Sequence, residues 1–363
     1  MAMTLRRKAI LALAVVAVCI MIKLYSLNPH RVETGYSSQF FPFFASLLRA
    51  TLGKLPVSVG DLLYAILVFL LVLGCVRLTR KAATGVKLLS GAIIKNKILS
   101  LLIFFGSIYI VFNLFWGINY NRKGIAWQLG LPTLEYTQTE LVEMNCMLLA
   151  KVNQSKFSLQ SRDLNYPTTS QLFNGIHDAY KILGEKYPFL KYENASLKKS
   201  MWGWLGNYAG FTGYYNPFTG EAQVNTSVPR FLQPFTSCHE VAHQLGYAKE
   251  MEANFVGYLA ASTSKDPLFN YSVYLDLFTY ANRNLFATDS IAAKSIRNDL
   301  STAVKDDLKE WMLFNKKHRS FLEPLVRWGY GIFLRNNEQP QGILSYDEVT
   351  GFIIAYYKKN GRI

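Results

Sequence analysis

Residues 236–257, TSCHEVAHQLGYAKEMEANFVG, carry His239, Glu240 and His243 in the order H-E-x-x-H. On a helix, positions i and i+4 share one face, so the two imidazoles can grip a single metal ion. Glu240 follows the first histidine and can reach a water on that ion and take its proton. Zinc lowers the pKa of such a water toward neutrality, which makes hydroxide available at ordinary pH. The motif therefore supplies two ligands and a base for attack on a carbonyl. Val241 and Ala242 fill the positions between the ligands, and Gly246 offers a stop for the helix. Two surface histidines beside a Ser237–Glu240 capping box would also fit the spacing, but that arrangement leaves the apolar filling unexplained. Ser237 is expected to cap the helix in either case. A third protein ligand is required. The pattern H-E-x-x-H-x-x-G-x-x-H would place it at position 249, where this chain has a lysine, a poor ligand while protonated. Glu250 and Glu252 are the remaining candidates, and helix phase decides which points inward. A solvated acidic helix start is the plainer reading of either one.

Residues 236–257 resemble the glutamate-type zincins. They resemble most a family of bacterial membrane proteins in which a HExxHQ helix directly precedes an E-x-E-A-N-F segment. Here the match reads His239-Glu240-Val241-Ala242-His243-Gln244, then Glu250-Met251-Glu252-Ala253-Asn254-Phe255. The stretch NPFTGEAQVN at 216–225 is similar to the strand and turn that precede the metal helix in that family. The resemblance implies a zincin-like metallopeptidase fold holding one zinc ion on His239, His243 and Glu250, with Glu240 as general base. It favours Glu250 over Glu252, because Asn254 at i+4 would then hydrogen-bond a ligating histidine. In zincins a strand near the metal pairs with an extended substrate at the sheet edge, and 221–225 is the segment expected to do so here. An oxyanion donor is also expected, with His318, Tyr214, Tyr215 and Tyr330 as candidates. His30 and His177 have no partners in sequence and read as structural.

These residues must be positioned by the rest of a chain of 363 residues that is 50% hydrophobic and 17% charged. That balance is too apolar for an ordinary soluble protein and too polar for one made only of membrane spans. Three runs are apolar enough to cross a bilayer, at about 9–25, 60–78 and 98–118. Residues 1–119 thus read as a membrane region and 120–363 as one domain. Within the domain, Thr137 and Glu140 predict a capping box ahead of a helix with Leu141, Met144 and Leu148 on one face. A second helix is expected over 168–186, loops with short strands over 201–220, and mostly helix from 236 to about 335. A last helix covers 346–358. The predicted fold class is α+β, with three N-terminal transmembrane helices before a mostly helical domain that holds a small β-sheet.

The net charge of +15 is concentrated beside the apolar runs, at Arg6, Arg7 and Lys8 and at Arg77, Arg80, Lys81, Lys87, Lys95 and Lys97. Lys and Arg resist translocation, so these clusters set orientation; they are not read as a nucleic-acid surface, and no nucleic-acid motif accompanies them. The N-terminus and the 79–97 connection are expected in the cytoplasm, with the domain outside. In a bacterium with two membranes this means the inner membrane, with a periplasmic domain and a peptide or protein substrate. The polar flanks Arg230, Gln233, Gln244 and Lys249 exclude an intramembrane protease. Three spans without a repeated half disfavour a transporter. The main alternative is a non-catalytic protein that keeps zinc for its fold while binding a partner or envelope component. Structural zinc sites are usually closed and rich in cysteine, whereas here Cys238 lies on another helix face from His239 and Cys146 is remote. No disulfide is assigned between these two.

Overall fold

A computed structural model describes residues 3–83, 91–161 and 166–363 of the chain. Lys87, in the basic connection, lies outside the described residues. Three helices near the N-terminus, α1 (Leu5–Ser26), α3 (Val59–Ala83) and α4 (Gly91–Phe115), contain stretches long and apolar enough to cross a membrane. Only 17%, 11% and 6% of these stretches is buried against protein. Apolar surface left open on that scale suggests association with a membrane. Lys8 Nζ donates to Asn96 Oδ1 at 2.7 Å, which puts the basic N-terminus and the start of α4 at the same end of the bundle. Between α1 and α3 the chain forms a π-helical stretch, Val32–Phe40, that runs into α2 (Phe41–Leu52). Phe43 and Leu47 on α2 are 72% and 51% exposed, an apolar stripe suited to lying along an interface.

The remaining chain is mostly helical. After a helical turn at Gly124–Gln128 come α5 (Gln138–Ser161) and α6 (Thr169–Lys186). The first is capped reciprocally by Thr137 and Glu140, whose side chains each accept from the other's amide. A short sheet follows, interrupted by α7 (Gly203–Ala209); its strands are β1 (Leu197–Lys199), β2 (Gly213–Asn216) and β3 (Glu221–Val224). Then come α8 (Gln233–Gln244), α9 (Glu250–Ala261), α10 (Pro267–Thr288), α11 (Ser290–Asn298), α12 (Thr302–Lys317), α13 (Leu322–Asn336) and α14 (Val349–Asn360). The core is built where α8 and α9 meet α10, around Val241, Phe255, Tyr271 and Phe278, all essentially inaccessible. Cys238 is buried there while Cys146 is exposed on α5, and both are free thiols.

Two expectations from sequence are corrected. The strand order is β1-β3-β2, with β3 parallel to β1 and antiparallel to β2. The 221–225 segment is therefore the centre of the sheet, with every residue of β3 buried, and the edge beside α8 is β2. Ser237 is also not a cap. The helix begins four residues earlier at Gln233, with Pro234 in its first turn, the position where a missing amide costs least. Ser237 instead donates back to the Gln233 carbonyl at 2.7 Å.

The packing is continuous across residue 119. Glu221 of β3 accepts from the Val59 and Gly60 amides at 3.2 and 2.6 Å, tying the sheet to the first turn of α3. Arg49 of α2 donates to the Gln244 carbonyl at 3.0 Å, at the end of α8. Arg122 forms a buried ion pair with Glu33 at 2.6 Å and donates to the Gly246 carbonyl at 3.1 Å.

Candidate metal centre

Helix α8 presents His239 and His243 on one face, and α9 returns antiparallel beside it to bring Glu250 opposite them. The reversal takes only the residues between Gln244 and Glu250. It depends on Gly246, which adopts φ +87°, with the Phe41 ring 2.9 Å from where a side chain would begin. Gln244 fastens the end of α8 to the sheet by donating to the Ser196 and Gly220 carbonyls and accepting from Tyr192. Lys249 is extended, so Glu250 opens α9 and Asn254 stands one turn later on the same face. Glu252 sits about 200° around the helix and lies against the Gly124–Ile125 backbone on the far side.

The Glu250 Oε2 atom is 3.2 Å from His239 Nε2 and 3.5 Å from His243 Nε2. All three residues are buried. Ligands held about 2.0–2.2 Å from a tetrahedral ion stand roughly 3.3–3.6 Å apart, so these spacings suit a common metal. The other ring nitrogens are already engaged. His239 Nδ1 faces Asn254 Oδ1 at 2.8 Å and His243 Nδ1 faces the Tyr247 carbonyl at 2.7 Å. The carbonyl can only accept, so the His243 ring carries a proton on Nδ1 and turns Nε2, the atom that would ligate a metal, toward Glu250. Asn254 Nδ2 in turn donates to the Tyr346 carbonyl at 3.3 Å, which fixes its orientation. Glu250 Oε2 has no hydrogen-bond donor although it is buried, nor has Glu240 Oε2. Two unpartnered carboxylate oxygens beside two free Nε2 atoms are an expensive arrangement unless a cation and a water complete it.

The electrostatics follow the same geometry. Burial pushes the Glu240 carboxyl up to about 7 against the pull of the two imidazoles. Burial would also raise Glu250, but the imidazoles override it and hold this carboxyl far below the usual range. His243 is raised to about 9; desolvation opposes the shift, and the Glu250 carboxylate outweighs it.

Glu240 is one residue from His239 and lies under β2. Gly213 of that strand has no side chain, and the Glu240 Oε1 atom would be 2.7 Å from any Cβ placed there. Tyr330 of α13 donates to Glu250 Oε1 at 2.5 Å, and the Tyr346 ring stacks on His239 with centroids 6.0 Å apart. Trp116, just beyond α4, meets His243 edge-on at 5.9 Å. Tyr346 and Trp116 carry no local sequence signal; each belongs to a distant segment that only folding brings here.

Of the four candidate oxyanion donors, Tyr330 is at the centre. Tyr214 is tied to Asp61 and Tyr215 is against Trp116. His318 lies tilted against Phe314 and edge-on to Tyr208, away from the metal ligands. His30 lies against Trp127 and His177 against Tyr192, neither of them at the centre.

Two cavities meet at His239 and Glu240. One, of about 350 Å³, is lined by Asp276, Arg283, Glu323 and Arg327 among others. The other, of about 500 Å³, is walled largely by aromatic rings. The chain belongs to a family described as protein of unknown function (DUF3810), which matches residues 36–354. No curated protein and no solved structure matches it.

Proposed function

We propose that this member of the DUF3810 family is a membrane-anchored zinc peptidase. The observation that carries the reading is the convergence of His239 Nε2, His243 Nε2 and Glu250 Oε2, with the unpartnered Glu240 carboxylate beside them. His239, His243 and Glu250 would hold one zinc ion. When bound, zinc supplies Lewis acidity, polarising a carbonyl and lowering the pKa of water. Glu240 takes a proton on Oε2 as water adds to the peptide carbonyl carbon. It then delivers that proton to the leaving amine nitrogen as the C–N bond breaks. The free edge of β2 offers main-chain groups to an extended substrate, and the bare Cα of Gly213 leaves room for Glu240 beneath it. Asn254 and the Tyr247 carbonyl hold both imidazoles in the ligating tautomer.

The position of the basic residues supports an N-terminus in the cytoplasm and a domain on the outer face, which in a two-membrane bacterium is the periplasm. The test is zinc content and peptide hydrolysis of the full chain in detergent, wild type beside Glu240→Gln. One zinc in both proteins, with hydrolysis in the wild type alone, is the expected result. No zinc in either removes the reading. Zinc in both without hydrolysis, over a broad peptide set, moves the protein to the non-catalytic class.

A further inference from the structure

The larger cavity at the centre is walled by the membrane-spanning helices themselves. Tyr64 of α3 and Phe112 of α4 line it together with Trp116, Phe218 and Phe333. Phe112 is three residues from the end of α4 at Phe115, and Tyr64 is five from the start of α3 at Val59. At about 1.5 Å per residue these rings stand roughly 5 and 8 Å inside their helix ends. Their helix neighbours already face outward: Leu63 and Ile66 are 40% and 58% exposed, Ile108 and Val111 47% and 41%. The bilayer's polar zones add only about 5–8 Å on each side of the hydrocarbon. The apolar arm of the cleft therefore opens level with the first lipid-facing side chains.

This placement is fixed by a stiff joint. Glu221 caps the start of α3. In the same turn, Asp61 accepts from Tyr214 of β2 and from the Met201 amide at 2.6 Å. The edge strand and the span are thus bound through one buried group, and the cleft cannot lift from the membrane without breaking these bonds. The opposite arm is mixed but carries the charges, with Asp276, Arg283, Glu323 and Arg327 on its walls beside Phe235 and Trp311. β2 follows Thr212, which lines the charged arm, has Gly213 in both arms, and leads through Tyr214 and Tyr215 toward Pro217 and Phe218 in the aromatic arm. A peptide pairing antiparallel to β2, the commoner mode, enters with its N-terminal side in the aromatic arm.

We propose that the substrate is a peptide carrying an apolar membrane anchor N-terminal to the scissile bond, cut a few residues from the membrane surface. This rests on the peptidase reading and adds to it the substrate class and its direction. The anchor's chemistry is an apolar chain at the interface, either an acyl group or a hydrophobic helix.

The test uses the full chain in vesicles of phosphatidylethanolamine and phosphatidylglycerol, loaded with zinc. The probes are randomised short peptides, offered free, with an N-terminal palmitoyl chain, with an N-terminal apolar helix of about 20 residues, or with a C-terminal palmitoyl chain. The N-terminally anchored forms should be consumed about tenfold faster or more than the free form, as expected of a substrate held at the site. Cleavage of only one of those two identifies the anchor. Phe218→Lys and Phe333→Lys, each placing a charge in the aromatic arm, should pull the anchored-to-free ratio toward one; retained zinc shows that the variants are folded. Equal rates for free and anchored peptides overturn the proposal and leave the peptidase reading standing. Preference for the C-terminal anchor overturns it as well. Cleavage of no form by the zinc-loaded enzyme overturns the peptidase reading and this proposal with it.

Discussion

Glu33 and Glu250 are 1% and 2% exposed, yet their surroundings are finished in opposite ways. Glu33 accepts from Arg122 Nε and Nη2, from Gln128, from Ser38 and from the Gly124 amide, so both oxygens are saturated. Arg122 in turn lies over the Tyr247 ring at 4.5 Å and bonds the Gly246 carbonyl. This is a joint: it locks the π-helical segment to the turn that reverses the chain between α8 and α9. Glu250 has one donor, Tyr330, on Oε1, while its Oε2 is left bare toward two imidazoles. A buried charge that only supports structure has its lone pairs filled, because each empty one costs free energy. At Glu250 the bare oxygen faces two imidazole nitrogens, a grouping that could hold a metal ion.

The contrast can be broken by experiment, beginning with the largest expected effect. Glu240→Gln should lower peptide cleavage by about 10²–10⁴-fold, the range for a lost general base, with zinc per chain unchanged in elemental analysis. Comparable loss of zinc would mean that Glu240 belongs to the ligand set. Glu33→Ala should cost about 3–5 kcal/mol of stability in denaturant titration, because Arg122 is left buried and unpaired. Zinc affinity of the folded protein should hardly move; if it falls in step with stability, the two clusters are one unit. Asn254→Ala should weaken zinc about 10–100-fold in chelator competition, as expected when the partner of a ligating imidazole is removed. Unchanged affinity would show that His239 needs no such orientation.

The smallest effect is in acid. Burial alone would raise the Glu33 carboxyl; Arg122 and the other donors prevail and hold it below its ordinary 4.5. Its stabilisation is therefore complete above pH 4.5 and disappears as pH falls through the lower folded value. Glu33→Gln should flatten the wild-type stability loss across that acid window, measured as the midpoint of thermal unfolding. An unaltered slope would mean that other carboxylates govern it.

The i, i+4 spacing of His239 and His243 required only a helix to become a shared face, and the apolar filling of α8 made the helix legible. The capping box at Thr137 and Glu140 and the three apolar runs were legible for the same reason, since each is decided within one turn or one span. The Ser237 cap failed because Pro234, three residues earlier, offered a better start. The edge role expected of 221–225 failed because strand order is a property of three segments and not of one.

What the sequence by itself determined, then, is what local spacing and hydrophobicity decide: the paired histidines with their neighbouring acid, the apolar helices, and the helical bulk of the domain. The resemblance favoured Glu250 over Glu252, and the tertiary structure brings Glu250 to the histidines. The extended Lys249 sets the phase of α9, so that Glu250 and Asn254 face α8 while Glu252 turns to Gly124. It also decided that Tyr330, Tyr346 and Trp116 surround that site, and that the rings of two spanning helices wall its larger cavity. Those contacts join segments tens to more than a hundred residues apart. Their closure depends on the whole packed chain, and no local pattern of residues encodes it.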